Sequence, residues 1–365
     1  MSGLVAAATA DAPAPRILLV RTSALGDVVH CLPVLTALAR HLPRARIAWV
    51  VERGIAPLLA GHPLLERVIP VGLRPWRRAP LAAATRREVA AARRELKAFA
   101  ADVAIDLMGN HKGALLARLS GARRVVGAAR EWRREPSSAL WIGEPVPAPP
   151  GAAALHAVDR ALALATAVGV PDGAAAAGAG RPGGPADFGG ELLLPSARPA
   201  AGAEPYLLIH PGAGWGNKVY PPERWGGVAH RLAGTTGLPV RVPAAPGEEA
   251  LATAVAAASG GAARVVPGGD LADLVRELRG ARLVLAGDTG PLHLAWALGV
   301  PVLAVHGPTD PALHGPHGAP ERAVFERLPC SFCYKRFSET KACLLVVTPD
   351  RVAERAEALL AGSSA

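Results

Sequence analysis

An aspartate follows a glycine at the first strand-to-helix turn of the chain. Asp27 comes directly after Gly26 in the segment RTSALGD, residues 21–27. A carboxylate at such a turn can accept a proton from a substrate hydroxyl and so act as a general base. Aspartate is also a common helix-capping residue, so the same side chain can simply stabilise the helix that follows. The local sequence leaves both roles open.

A glycine-rich segment ending in a lysine follows a later apolar strand. Residues 210–218 read HPGAGWGNK, with Gly212, Gly214 and Gly216 at alternate positions before Lys218. Glycines let the backbone approach a ligand closely, and the lysine adds a positive charge suited to phosphate. The spacing matches neither the Walker pattern nor the dinucleotide fingerprint. A phosphate-binding loop and an ordinary glycine-rich turn with an exposed lysine both remain open.

The clearest local signal is the segment LVLAGDTGP at residues 283–291. An apolar strand ends there, Asp288, Thr289 and Gly290 form a turn, and proline opens a helix. Backbone N–H groups of Thr289 and Gly290 at the helix N-terminus would suit a diphosphate, and His293 in the first turn adds a contact. The alternative is an ordinary capped strand–helix unit.

The chain is basic, with 40 Lys and Arg against 30 Asp and Glu and a net charge of +10. This excess predicts an anionic partner such as nucleic acid, a membrane surface or a phosphorylated substrate. The segment LRPWRR, residues 73–78, places a tryptophan among Arg74, Arg77 and Arg78, which suits an anionic and partly apolar ligand. No recognised nucleic-acid-binding module is present, so nucleic acid is not expected. Further basic residues occur nearby: Arg86, Arg87, Arg93, Arg94, Arg123, Arg124, Arg130, Arg133 and Arg134.

The cysteines and the apolar runs limit the location of the protein. Four cysteines are too few for a disulfide-stapled secreted domain, and no apolar run reaches the ~20 residues that span a bilayer. Residues 1–15 lack the cationic start of a signal peptide. Cys330, Cys333 and Cys343 resemble part of a metal site, but no fourth ligand is evident, so no metal is expected. A cytoplasmic protein is predicted.

Strands and helices alternate along most of the chain, which predicts parallel, doubly wound α/β domains. The length of 365 residues suggests two of them. Two such domains would hold a ligand in the cleft between them, at the carboxyl ends of the strands. Strands are predicted at 17–20, 47–51, 68–71, 103–107, 206–210, 240–242, 264–266, 283–286 and 302–305, and helices at 28–42, 86–101, 270–279, 291–298 and 350–360.

Taken together, these segments resemble the bacterial lipopolysaccharide heptosyltransferases, inverting glycosyltransferases of the GT-B fold. The resemblance covers about residues 16–360. Its most specific pieces are RTSALGDVVHCLPVL and GDTGPLHLAWALGVPVLAVHGPTDP. WVVERGIAPLLAGHPLLERVIPVGLRPWRR and LHAVDRALAL are most like the heptosyltransferase I subgroup. The resemblance implies two Rossmann-like domains with doubly wound parallel sheets that face a central cleft.

The domain boundaries predicted on this basis are a disordered leader at 1–15, an N-terminal acceptor-binding domain at 16–170 and a Gly/Ala/Pro-rich linker at 171–204. The chain continues with a C-terminal donor-binding domain at 205–348. It ends with a helix at 349–365, which has the option of packing back on the N-terminal domain.

The resemblance also implies roles for individual residues. Asp27 would be the general base, and Lys218 would neutralise the diphosphate that leaves. Glu248 would contact the donor ribose, with Glu249 as its rival. The heptosyltransferase I subgroup often has hydroxyl side chains where this chain has Ala213 and Gly214, so backbone amides would act there instead. The other donor-binding residues would be Gly212, Gly214, Asp288, Thr289, Gly290 and His293. The acceptor-binding residues would be Ser23, Gly26, Arg74, Arg77, Arg78 and Arg134.

The implied donor is ADP-heptose and the implied acceptor is Kdo-lipid A, met at the cytoplasmic face of the inner membrane in a transient contact. No cofactor and no metal are implied. Alternatives are heptosyltransferase II or another glycosyltransferase of the family, a GT-B nucleotide-sugar 2-epimerase, and a catalytically silent sugar-nucleotide-binding protein. A nicotinamide-dependent oxidoreductase is disfavoured, because no G-x-G-x-x-G follows the first strand.

Overall fold

A computed structural model describes residues 13–171 and 186–362. These residues divide into two compact units, with the boundary between Leu194 and Pro195. Most of the predicted leader, residues 172–185 of the predicted linker and the last three residues of the chain lie outside the described residues. Within the predicted linker, Asp187 belongs to the first unit, where its backbone carbonyl accepts a hydrogen bond of 2.7 Å from Thr36.

The first unit is built on a six-stranded parallel sheet in the order β3-β2-β1-β4-β5-β6. Its strands are β1 Arg16–Val20, β2 Arg46–Glu52, β3 Arg67–Val71, β4 Val103–Asp106, β5 Arg124–Ala128 and β6 Glu144–Val146. Its helices are α1 Leu25–His30, α2 Leu32–His41, α3 Ala56–Leu59, α4 Leu73–Arg78, α5 Ala83–Ala98, α6 His111–Leu119 and α7 Ala157–Ala165.

The central strands of this sheet are apolar because both faces are covered. Every residue of β4 and the last four of β1 are buried, as expected for a parallel sheet with helices on its two sides. Helix α5 contributes Ala92 and Leu96 to the core on one face, next to Phe99. The prediction of a parallel, doubly wound domain is confirmed for this half of the chain.

The helix predicted at 28–42 is two helices. Helix α1 ends at His30, and α2 begins at Leu32 with Pro33 in its first turn, so Cys31 caps both helices. Proline has no N–H to donate to the carbonyl four residues back, so a continuous helix is interrupted at this point. The segment LRPWRR, for which no helix or strand was predicted, forms helix α4 beyond β3.

The second unit repeats the architecture with the strand order β12-β11-β10-β7-β8-β9, again parallel throughout. Its strands are β7 Tyr206–His210, β8 Val240–Ala244, β9 Ala263–Pro267, β10 Ala281–Gly287, β11 Val302–Val305 and β12 Ala323–Val324. Its helices are α8 Pro222–Thr236, α9 Glu249–Ala258, α10 Leu271–Gly280, α11 Gly290–Ala297, α12 Pro311–His314, α13 Ala342–Leu345 and α14 Pro349–Gly362.

Helix α14 packs on α8 within the second unit. Val352, Ala353 and Ala356 enter the same core as the buried Trp225 of α8. At the rim, Arg231 of α8 pairs with the carboxylate of Glu357 at 3.1 Å. The packing of α14 on α8 covers apolar side chains of α8 that would otherwise be exposed to water. Across the described ranges, no helix combines the length and apolar character needed to cross a membrane.

Candidate active site

In the first unit, Asp27 lies in the first turn of α1, just beyond the carboxyl end of the central strand β1. Its carboxylate accepts a hydrogen bond of 3.0 Å from the backbone N–H of Ala24, so it does stabilise the start of the helix. The side chain is nevertheless 38% exposed. The helix-stabilising role therefore leaves part of the carboxylate accessible to a substrate.

An arginine that sequence reasoning missed holds the other side of this carboxylate. Arg21 Nη2 lies 2.8 Å from Asp27 Oδ1, and Arg21 Nη1 donates to the carbonyl of Leu107 beyond β4. The guanidinium thus ties the carboxyl ends of β1 and β4 to the candidate base. Its position directly after the first strand, in the segment RTSALGD, is the signal that could have identified it.

The other predicted acceptor residues lie at the same edge of the sheet. Ser23 and Gly26 belong to the turn and first helical residues around Asp27. Arg74, Arg77 and Arg78 are exposed on α4 after β3, and Arg134 is exposed beyond β5. Strands β3 and β5 each lie two positions from β1, which is about 10 Å at the usual strand spacing. The segments that carry these arginines therefore lie on either side of β1, and Arg21 contacts Asp27 directly.

A buried ion pair fixes the loop that carries Arg134. Arg133 Nη2 lies 2.6 Å from Asp106 Oδ2, and neither side chain is exposed. Arg133 also donates to Ser138 Oγ and to the carbonyl of Ala128. Burial raises the pKa of Asp106, although the arginine opposes the effect. The pair joins the ends of β4 and β5, so the backbone at 134 is held in place.

In the second unit, Asp288 is the centre of a buried polar cluster beyond β10. Its carboxylate contacts Lys218 Nζ at 2.6 Å, His293 Nε2 at 3.0 Å and Thr309 Oγ1 at 2.6 Å. Burial opposes ionisation of Asp288, but the hydrogen bond from His293 and the charge of Lys218 outweigh it. The pKa of Asp288 accordingly lies well below its ordinary value. Lys218, predicted from one segment, thus contacts Asp288, which was predicted together with His293 from another.

Two buried histidines near these residues are uncharged at neutral pH. Burial lowers the pKa of both His210 and His306 to about 4. His210 Nε2 lies 3.8 Å from Glu248 Oε2, but a neutral imidazole at that distance forms no ion pair. Neither of these two histidines therefore adds positive charge beside Asp288 at neutral pH.

Glu248 and Gly212 also meet in the second unit. A Cβ atom on Gly212 would lie 2.0 Å from Glu248 Oε2, so the absence of a side chain makes room for this carboxylate. Among the residues that the structure describes, buried Glu248 Oε2 has no hydrogen-bond partner, and burial raises the pKa of Glu248. Glu249 is different, because its carboxylate is exposed and accepts from the backbone N–H of Gly247. Of the two rivals, Glu248 is the one whose carboxylate packs against Gly212 of the glycine-rich loop.

The glycine-rich loop is anchored by the backbone of residues 335–338. Asn217 Nδ2 donates to the carbonyl of Lys335, and a Cβ atom on Gly216 would lie 2.0 Å from the carbonyl oxygen of Ser338. The ring of Trp215 lies 4.7 Å from Lys218 Nζ. These contacts fix the position of Lys218. Gly214, in contrast, is exposed with open space around it.

Helix α11 begins at Gly290, one residue before the predicted start at Pro291. Thr289 caps it, its hydroxyl accepting from the backbone N–H of Leu292, and Gly290 is the first helical residue. Thr309 was missed. It lies beyond β11, the neighbour of β10, in the segment HGPTDP that ends the second family-like stretch of the sequence. A threonine at the carboxyl end of an adjacent parallel strand is the signal that points to it.

The predicted absence of a metal site concerns the three C-terminal cysteines. Cys330 and Cys333 are exposed, and Cys343 is buried. Across residues 13–171 and 186–362, no group of three or more His, Cys, Asp and Glu side chains is arranged to hold a metal ion.

We expect Asp288→Asn to destabilise the second unit at neutral pH. The pKa of Asp288 is lower in the folded chain than its unfolded value near ~3.9, so its ionised form contributes stability above about pH 4. That contribution is lost as the pH falls through the folded pKa. Removing one partner of a buried ion pair costs about 3 kcal/mol. Denaturation therefore measures the free energy of unfolding of the variant and of the parent chain at pH 7 and below pH 4. The difference between the two chains should be smaller at the lower pH.

Asp310→Asn is the matched control for this variant. Asp310 caps helix α12 in the same unit, and asparagine caps a helix about as well as aspartate. If the free energies of unfolding of Asp288→Asn and the parent chain differed by the same amount at all pH values, the lowered pKa of Asp288 would be contradicted.

Comparison with known proteins identifies the class to which this arrangement belongs. The family model for glycosyltransferase family 9 (heptosyltransferase) matches residues 89–343. Lipopolysaccharide heptosyltransferase 1 of Pseudomonas aeruginosa strain PAO1 is 35% identical over 94% of this chain and 98% of the relative. A structure of E. coli heptosyltransferase WaaC with ADP is 32% identical, with a TM-score of 0.77, over 94% of this chain and 99% of that one. A second WaaC structure, with ADP-2-deoxy-2-fluoro heptose, is 30% identical with a TM-score of 0.76 over the same shares of the two chains.

The chain belongs to glycosyltransferase family 9, the heptosyltransferases, and is a glycosyltransferase. The resemblance to lipopolysaccharide heptosyltransferases of type I is confirmed, and so is the GT-B fold class.

Proposed function

We propose that this enzyme transfers L-glycero-D-manno-heptose from ADP-heptose to Kdo of the lipopolysaccharide inner core, with inversion at the anomeric carbon. The observation that carries the proposal is the cluster of Lys218, Asp288, His293 and Thr309 at the carboxyl edge of a Rossmann-like sheet. It occurs in a chain that is 35% identical, over nearly its whole length, to a lipopolysaccharide heptosyltransferase 1.

In the proposed reaction, the carboxylate of Asp27 takes the proton from a Kdo hydroxyl as that oxygen attacks the anomeric carbon. A new C–O bond forms, and the bond between that carbon and the diphosphate breaks. ADP leaves with the bonding electron pair. Its developing charge is compensated by Lys218 and by the N-terminus of α11 at Thr289 and Gly290. A lysine and a helix dipole can supply this compensation, so we propose that transfer needs no metal ion.

The donor nucleotide is proposed to meet Glu248 through its ribose. The argument rests on the buried Oε2 atom of Glu248, for which the described parts of the chain offer no hydrogen-bond donor. Leaving a buried acceptor unpaired costs about 1–3 kcal/mol, and a ribose hydroxyl would supply the missing donor. Gly212 leaves the space that this carboxylate occupies. Gly214 belongs to the same proposed donor loop.

The acceptor is proposed to bind at the carboxyl edge of the first sheet, around Ser23 and Gly26. Four exposed arginines flank this edge, and their guanidinium groups suit the carboxylates of Kdo and the phosphates of lipid A. The arginines are Arg74, Arg77, Arg78 and Arg134. Because this acceptor is membrane-bound, the enzyme is proposed to be cytoplasmic and to associate with the inner face of the inner membrane.

Purified protein incubated with ADP-heptose and Kdo-lipid A should produce a heptosylated acceptor and ADP, and a chelator should leave the rate unchanged. A parallel reaction with acceptor that already carries one heptose tests the type II activity. ADP-heptose without acceptor tests epimerisation, which would change the donor alone. Absence of transfer to Kdo-lipid A, with activity in either of the other reactions, would refute the proposed function.

A further inference from the structure

Helix α5 of the first unit has a basic face outside the proposed catalytic residues. Arg86, Arg93, Arg94 and Lys97 recur along one face at helical spacing and line an open groove with a volume of about 540 Å³. Val89 lies on the same face and is 40% exposed. The opposite, apolar side of α5 is the one that packs into the core through Ala92 and Leu96.

The acidic residues of α5 are directed away from this face. Glu88 bonds to Arg53 and to the indole of Trp76, both at 2.8 Å, and Glu95 bonds to Arg67 at 3.0 Å. Both carboxylates therefore accept hydrogen bonds from groups on the side of α5 away from the groove. Within the described chain, no acidic side chain pairs with the four basic residues that line the groove. The face therefore keeps its full positive charge.

We propose that this face of α5 docks on an anionic phospholipid bilayer. The four cations are all exposed and are spread along a helix face, which matches an extended charged surface better than a single small anion. Apolar side chains accompany them: Val89 lies among the cations, and Leu81, next to the groove-lining Pro80, is 83% exposed. Mixed basic and aliphatic surfaces of this kind enter the headgroup region of a membrane. A nucleic-acid surface would favour aromatic side chains for base stacking, and the groove is lined by none.

This inference rests on the proposed function and deepens it, because it names the surface that brings the enzyme to a membrane-bound acceptor. The test uses the full chain in sedimentation with vesicles of phosphatidylglycerol mixed with phosphatidylethanolamine, and with vesicles of phosphatidylcholine alone. We expect binding to the anionic vesicles only. Binding should weaken as salt rises from about 0.1 M to 1 M, since the screening length falls from about 10 Å to 3 Å.

The variant Arg93→Glu with Lys97→Glu should lower the vesicle partition coefficient by about tenfold or more. Its control is Arg264→Glu with Arg282→Glu, which makes the same change in net charge at two exposed positions of strands β9 and β10 in the second unit. Circular dichroism checks that both variants fold. Retention of binding by the first variant, or equal loss in the control, would overturn the proposal. So would binding of a single-stranded RNA oligonucleotide in place of the vesicles.

A second measurement separates this inference from the proposed function. Transfer to a deacylated, water-soluble Kdo acceptor should be the same for the parent chain and for Arg93→Glu with Lys97→Glu. Transfer to Kdo-lipid A embedded in anionic vesicles should fall in the variant alone. If the parent chain modifies neither acceptor, the proposed function fails, while the vesicle experiment still decides whether α5 binds membranes.

Discussion

Replacement of Asp27 by asparagine should lower the turnover number by about a hundred- to ten-thousand-fold, the usual contribution of a general base. The amide oxygen of asparagine can still accept the hydrogen bond from Ala24 N–H, so helix α1 keeps its first turn. An amide cannot take a proton from the attacking hydroxyl. Steady-state transfer from ADP-heptose to Kdo-lipid A measures the loss. Calorimetric titration with ADP should show unchanged affinity, because the donor site is proposed to lie in the second unit.

Asp270→Asn is the matched control for Asp27→Asn. Asp270 also accepts hydrogen bonds from backbone N–H groups at the start of a helix, α10, but no catalytic role is proposed for it. We expect this variant to transfer heptose at the parent rate. If Asp27→Asn also retained the parent rate, the role of Asp27 would be limited to its contacts with Ala24 and Arg21. The general base would then be another group.

The sequence predicts the sheets well because their strands are short, apolar and separated by clear helices. Strands β7 and β11 have the predicted bounds, and Asp270 caps α10 as expected. The region between 111 and 170 is different. Helix α7 and strand β5 there contain many small residues, so their pattern is weak without the partner strands and helices that bury them. The break between α1 and α2 depends on one missing N–H, at Pro33.

The sequence predicts which candidate site residues lie close together only when they belong to the same local segment. Asp288, Thr289 and His293 lie within one strand–helix turn, so their association follows from the helix that begins there. The contact of Lys218 with Asp288 joins loops after β7 and β10, which are adjacent only once the sheet has formed. Arg21 and Thr309 are single polar residues at strand ends. Their place after a strand is the only local signal, and it does not show that Arg21 folds back on Asp27 or that Thr309 reaches Asp288 after the neighbouring strand.

Replacement of Lys218 by methionine should lower the turnover number by about a hundred- to a thousand-fold and weaken the binding of ADP. Lys218 is held 2.6 Å from Asp288 and 4.7 Å from the ring of Trp215, so its ammonium group is already in place before the diphosphate develops charge. Methionine has a similar length and flexibility but no charge. Transfer kinetics and calorimetric titration with ADP measure the two effects.

Lys341→Met is the matched control, because Lys341 also pairs with a carboxylate, Glu339 at 3.4 Å, and lies over an aromatic ring, that of Phe337 at 5.2 Å. We expect this exposed lysine to be dispensable for transfer. Removing Lys218 also leaves Asp288 without its lysine, which by itself destabilises the fold. The double variant Lys218→Met with Asp288→Asn removes both charges and should recover most of that stability without recovering turnover. Recovery of turnover together with stability would mean that Lys218 serves only to balance Asp288, and that the charge on the leaving diphosphate is compensated elsewhere.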